Sequence, residues 1–273
     1  MTDHTLPLLG VCLPTDALET YGDWIIADQR DLEIQDFFNA ELLEGDWRTT
    51  AAKTKRLLAG YTGRLGIHGP FWGFSIGTSD PDIRAVVQKR FGQGLDACEE
   101  IGATQMVIHS PFTTWDYTNR HHLPGQYRAA ANARATLEPL LPRAEALGVT
   151  FVIENIEDRD PAERVALVES LASPSVRVSL DTGHANIAHH QHSAPPVDHH
   201  VIAAGDMLEH VHIQDTDGYA DRHWRPGLGN ILWGSLFAAL ARLEVKPRLN
   251  LELRDKAEVP AAVAHLEALG LAR

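Results

Sequence analysis

Positive charge is scarce in this chain. Lys and Arg number 24 against 37 Asp and Glu, a formal net charge of −13 over 273 residues. Nucleic-acid binding rests on Lys and Arg meeting phosphates, so nucleic acid is not the expected partner. Cysteine is nearly absent: Cys12 and Cys98 both fall inside apolar segments. They suggest no disulfide framework, and a reducing compartment is the simpler expectation. No window reaches the roughly 20 apolar residues of a membrane span. The opening MTDHTLPLLG lacks a basic start and a long apolar run, so no signal peptide is expected. No Gly- or Ser-rich linker, no repeat and no second domain are found. The expectation is a cytoplasmic protein of one domain, 1–273, long enough for one large core.

What is present is alternation. Apolar runs at Leu6–Leu13, Leu32–Phe38, Leu65–Phe71, Gln105–Ser110, Val149–Asn155, Val176–Asp181, Leu208–Gln214 and Arg248–Leu253 read as strands. Helix-like segments follow each of them. Asp80–Pro81 and Asp160–Pro161 are helix starts, the second with Glu163 in the capping-box position. A long helix is expected over Gln126–Leu147, stopped by Gly148. The strands are largely apolar rather than alternating, as in parallel sheets covered by helices. Eight strand–helix units at this length predict an α/β fold, a (β/α)₈ TIM barrel.

Active sites of such barrels lie at the carboxyl ends of the strands. The third strand here ends at His68, the fourth at His109, the fifth at Glu154. The sixth ends at Asp181, with His184 three residues on in a Gly-containing turn. The seventh carries His212 and the eighth Glu252. Each alone could cap a helix or bond a neighbour. Six consecutive strands ending in His, Asp or Glu exceed what turn chemistry produces. So many charges gathered together need cations to compensate them. A mixture of imidazole and carboxylate suits Zn²⁺ or Mn²⁺ better than Ca²⁺.

The phrases VIEN (152–155), SLDTGH (179–184), EHVHIQD (209–215) and LELR (251–254) resemble the xylose isomerase-like TIM barrels. That grouping includes sugar isomerases and epimerases and the endonuclease IV-type AP endonucleases, and the resemblance runs from the third strand onward. It implies a metal held by Glu154, Asp181, His212 and Glu252. The endonuclease branch further implies a trinuclear site. One ion would take His68, His109 and Glu154, with Glu154 bridging to the second, and a third would take His184, Asp221 and His223. An epimerase needs only the four-residue set. Epimerases also place a Glu where this chain has Asp160, which reads as a helix N-cap, and an Arg where it has Gly218.

The function expected first is hydrolysis of a small phosphate ester or diester by two to three ions, since paired metals stabilise attacking and leaving oxygens. Glu154, Glu252 and His184 are the catalytic candidates. Arg222, Arg225 and Trp115 are the substrate-binding candidates. The alternative is a sugar or sugar-phosphate isomerase or epimerase, with one ion and Glu154 and Glu252 as acid and base. A non-catalytic metal-binding barrel is third. The substrate is expected to be small and phosphorylated or polyhydroxylated. The GFSIG at 73–77 is set aside as a nucleophile elbow, because no helix leaves it at once. PGLG at 226–229 lacks the residues of a phosphate loop. The His-rich tract 189–200 reads as a solvated loop.

Overall fold

The computed structural model describes residues 6–122 and 127–273. Eight parallel strands close into a barrel in chain order: β1 (Gly10–Leu13), β2 (Leu32–Ile34), β3 (Leu65–His68), β4 (Gln105–His109), β5 (Thr150–Glu154), β6 (Val176–Asp181), β7 (Leu208–Ile213) and β8 (Arg248–Leu251). The seam between β8 and β1 is made by Gly10 opposite Asn250 and Val11 opposite Leu251. Helices pack outside, and the apolar core lies between them and the barrel wall.

The first two strands are shorter than expected. Proline at position 7 has no N–H for a ladder, and its carbonyl accepts from the N–H of Arg273 at 3.0 Å instead. Beyond Ile34, Asp36 turns to cap the short helix Thr15–Ala17, accepting from the Thr15 N–H at 2.6 Å. The expected helix Gln126–Leu147 starts outside the described residues at Gln126. What is described divides into Ala129–Leu137, a 3₁₀ turn at Glu138–Leu140 and Leu141–Leu147. Pro139 and Pro142, which cannot donate within a helix, mark the break.

Two helix starts were read correctly and a third was missed. Asp80 accepts from the Asp82 N–H at 2.8 Å, and Asp160 from the Ala162 N–H at 3.0 Å. Glu163 makes no capping box, because its carboxylate pairs with Arg120. The Gly-containing turn expected after Asp181 is instead the first turn of a helix, Thr182–His192, with Asp181 as its N-cap. The His-rich tract is only partly a loop. It spans the end of that helix, the connection 193–196 and the first half of the next helix, Val197–Ala204, where His200 is buried.

Barrel interiors of this class are filled by branched apolar residues. Below its mouth this one is polar: Ser179, His210, Asn250, Gln105 and Arg248 are all buried. Ser179 Oγ and His210 Nδ1 lie 2.8 Å apart. Gly10 is what makes room, since a Cβ there would stand 2.2 Å from Asn250 Oδ1. A register shift between Val178 and Ser179 inserts one extra residue in β7, so that Ser179 pairs with His210 and Asp181 with His212. Such bulges re-aim side chains. Glu209 is left on the outside, paired with Arg177 at 3.1 Å, while His210 and His212 are both fully buried.

Candidate metal and active site

The strand ends meet as the sequence suggested. Glu154, Asp181, His212 and Glu252 bring one ligand atom each within 4.8 Å of one another. Asp181 lies opposite His212 across the β6–β7 pair, and Glu252 follows β8 directly. His212 Nδ1 stands 3.2 Å from Glu154 Oε1, 3.4 Å from Glu252 Oε2 and 4.0 Å from Asp181 Oδ2. Burial alone would lower the His212 imidazole, but Glu252 and Glu33 outweigh it and hold it well above its ordinary value. Burial likewise opposes the Glu154 carboxylate, yet the histidines around it hold it well below the ordinary range. Burial raises Asp181 to about 6.

Three further groups have the same compactness among the described residues: His68, His109 and Glu154; His184, Asp221 and His223; and Cys12, Glu33, His212 and Glu252, where burial pushes the Cys12 thiol well up. The first supplies a direct test of whether an ion fits. Glu154 Oε2 is buried without a hydrogen-bond partner, while His68 Nε2 and His109 Nε2 stand 3.7 and 3.8 Å from it. Those separations are too long for hydrogen bonds, and they leave room for an ion with bonds near 2.0–2.2 Å to all three. A buried carboxylate oxygen left unpaired is costly. The donor set and the orphaned oxygen both suit a divalent cation.

The rings are anchored from behind. His68 Nδ1 donates to the Gly69 carbonyl at 2.9 Å, His184 Nδ1 to the Asn155 carbonyl at 3.0 Å, and His223 Nδ1 to the Glu252 carbonyl at 3.0 Å. Each leaves Nε2 facing its group, the arrangement that orients imidazole ligands. His223 has φ +49°, a left-handed conformation that costs energy outside glycine and collects at functional sites. The loop that carries it is pinched by paired backbone bonds between Asp215 and Trp224 at 2.8 and 3.1 Å.

Sequence reasoning missed several residues that build this site. Glu33, in the middle of β2, meets His212 Nε2 at 3.1 Å and His210 Nε2 at 3.2 Å. Gln35 donates to Glu252 Oε1 at 2.6 Å. Gln214 donates to Asp181 and Asp221, each at 3.1 Å, and accepts the His223 N–H at 3.1 Å. Gly183 is required beside it, because a Cβ there would lie 2.3 Å from the Gln214 carboxamide. Glu33 carried a readable signal, an acidic residue inside an otherwise apolar strand. The two glutamines carried none.

Two of the three expected substrate residues are already paired with carboxylates, and the third is exposed. Arg222 is forked onto Asp217 at 3.1 and 2.9 Å, and Arg225 donates to Glu258 at 2.6 Å. Each charge is already met by a carboxylate, so neither is free for a phosphate. Trp115 is 61% exposed, in the first turn of Thr114–Asn119. The aromatic wall at the mouth is a different one. Phe71 stacks on His109 with centroids 4.2 Å apart, and Trp72 stacks on Phe71 at 5.7 Å. The PGLG segment wraps Asp215, with a Cβ at Gly229 only 2.3 Å from Asp215 Oδ1.

The model of the xylose isomerase-like TIM barrel family matches residues 31–269. The chain belongs to that family. Among curated xylose isomerase-like relatives is a ketose 3-epimerase of Arthrobacter globiformis, 24% identical over 177 residues. The match covers 62% of this chain and 55% of that protein, so the chain spans little more than half the length of that relative. Among solved structures of the same barrel is the TTHB071 protein of Thermus thermophilus, soaked with ZnCl₂. It is 26% identical, with a TM-score of 0.74 over 97% of this chain and 99% of that one. The D-psicose 3-epimerase of Clostridium cellulolyticum is 20% identical, with a TM-score of 0.68 over 97% and 100%. Phosphate-ester hydrolysis, the function expected first, is overturned by these comparisons, which favour sugar epimerases and isomerases. Arg222 and Arg225, two of its expected substrate residues, are already paired with carboxylates.

Proposed function

We propose that this protein is a divalent-metal-dependent isomerase or epimerase acting on a small sugar, with its site at the carboxyl mouth of the barrel. The observation that carries the reading is the tetrad Glu154, Asp181, His212 and Glu252, gathered within 4.8 Å at four successive strand ends. A divalent ion held there supplies Lewis-acid polarisation of the sugar carbonyl. Glu252 and Glu154 come from different strands and serve as the base and acid that move a proton at the carbon beside that carbonyl. His184, held by the Asn155 carbonyl, flanks them. Phe71 and Trp72 offer an apolar surface to the sugar's C–H face and exclude water.

Imidazole and carboxylate donors suit Zn²⁺ or Mn²⁺, and the zinc-soaked relative supports zinc. The His68–His109–Glu154 and His184–Asp221–His223 groups would hold a second and a third ion. Two free, buried cysteines support a reducing compartment, the cytoplasm. The substrate differs from that of the epimerases whose pattern includes an Arg at position 218. Gly218 has φ +75°, and a Cβ there would lie 2.6 Å from the His190 ring.

The test is incubation of the metal-loaded protein with a panel of ketoses and aldoses in D₂O. The expected result is deuterium entering the carbon next to the carbonyl for at least one sugar, lost in Glu252→Gln. A panel with no exchange under Zn²⁺ or Mn²⁺ would sink the reading.

A further inference from the structure

We propose that β2 and the residue after it form the positioning element of the metal centre, with Glu33 fixing the His212 ring and Gln35 fixing Glu252. This rests on the reading that Glu154, Asp181, His212 and Glu252 hold a divalent ion. No residue of this strand belongs to that set, yet two of its side chains reach it. Glu33 and Gln35 stand two apart, so a strand presents both on one face, here toward the barrel axis.

His212 is the exception among the anchored histidines. His68, His184 and His223 give Nδ1–H to main-chain carbonyls and keep Nε2 for the site. His212 is turned the other way. Its Nδ1 lies among the three carboxylates of the tetrad, and its Nε2 lies 3.2 and 3.1 Å from the two oxygens of Glu33. With Nε2–H donated to Glu33, the free lone pair is on Nδ1, on the side of the ion. Such carboxylate–histidine pairs set the tautomer and the ring angle of a ligand. Glu33 is 1% exposed, and a carboxylate so deep is retained only where its partners repay its desolvation. Those partners are His212 and His210, and Ser179 holds His210 from its other nitrogen at 2.8 Å.

Gln35 completes the device. Lys256 Nζ donates to Gln35 Oε1 at 3.0 Å. A lysine can only donate, so the amide oxygen must face Lys256 and the NH₂ must face Glu252. Gln35 Nε2 then holds Glu252 Oε1 at 2.6 Å. That leaves Glu252 Oε2 toward His212 and His223, 3.4 Å from each Nδ1.

The experiment uses the full chain and reads metal binding without substrate. Zn²⁺ and Mn²⁺ titrations by calorimetry are compared for wild type, Glu33→Gln and Gln35→Leu, together with long-range ¹⁵N–¹H spectra of the histidine rings. For Glu33→Gln the expected result is a loss of affinity of about 10–100-fold, with His212 no longer held in the Nε2–H tautomer. Gln35→Leu, which removes no buried charge, is expected to weaken binding while His212 keeps its ring signature. It carries the test if Glu33→Gln does not fold. Wild-type affinity and ring signals in Glu33→Gln, or wild-type affinity in Gln35→Leu, overturn the proposal, and so does a wild-type chain that binds neither ion. A chain that binds metal and shows these losses yet exchanges no sugar proton leaves it standing and overturns the isomerase reading alone.

Discussion

Glu154 joins two of the groups, with His212 at one oxygen and His68 and His109 near the other. Glu252, by contrast, sits on the far side of the tetrad and offers one oxygen to it. Glu252→Gln keeps the shape and removes the proposed base. The expected outcome is a fall in proton exchange of about 10²–10⁴-fold, measured by NMR on whichever sugar the wild type accepts. Arg222→Ala is the contrasting case. Because that guanidinium is already forked onto Asp217, the KM for sugar or sugar phosphate is expected to stay within about twofold of wild type, as for a surface pair. Asp160→Ala should likewise leave chemistry intact while destabilising the helix it caps by about 1 kcal/mol in thermal unfolding. His68, His109, Glu154, Asp181, His212 and Glu252 could be read from sequence because each ends, or nearly ends, an apolar run. Gln214 and Gln35 could not, because an uncharged amide at a strand end looks like any polar residue. Their importance is set by neighbours far away in sequence.

Among elements, the strands after the first two were legible because parallel strands buried on both faces are unbroken apolar runs. The bulge in β7 was not. Nothing in LEHVHIQ marks the extra residue that turns both histidines inward. The connection after β5 depends on one ion pair. Arg164 donates to Asp158 at 2.7 Å with both side chains 1% exposed, and Ser110 donates to the same carboxylate at 3.1 Å. Removing one partner of such a pair leaves a buried charge, so Arg164→Ala is expected to cost about 3–5 kcal/mol in denaturant unfolding. In the helix Val197–Ala204, His200 is buried with neither ring nitrogen bonded. Burial, reinforced by Arg164, lowers it from 6.5 to about 3. Between those values the unfolded chain binds a proton that the native helix refuses, so this residue makes stability fall as pH drops from 6.5 towards 3. His200→Phe is expected to flatten that part of the melting-temperature profile. A slope equal to wild type over the same range would show that other groups set it.

For the whole molecule, the gathered carboxylates mean that metal content and stability should move together. A ligand that binds only the native state at about 100 times its dissociation constant adds about 2.7 kcal/mol. Chelation is therefore expected to lower the melting temperature, and Zn²⁺ or Mn²⁺ to restore it, as read by calorimetry at fixed protein concentration. The anchoring of His68, His184 and His223 has a consequence for how this barrel can change over generations. Their rear contacts are carbonyl oxygens of Gly69, Asn155 and Glu252, atoms that every amino acid carries. Drift in side chains cannot delete them while the backbone path holds. Mouth loops could therefore be exchanged for loops of other sequence, retuning which molecule is accepted, while the aim of these rings is inherited unchanged.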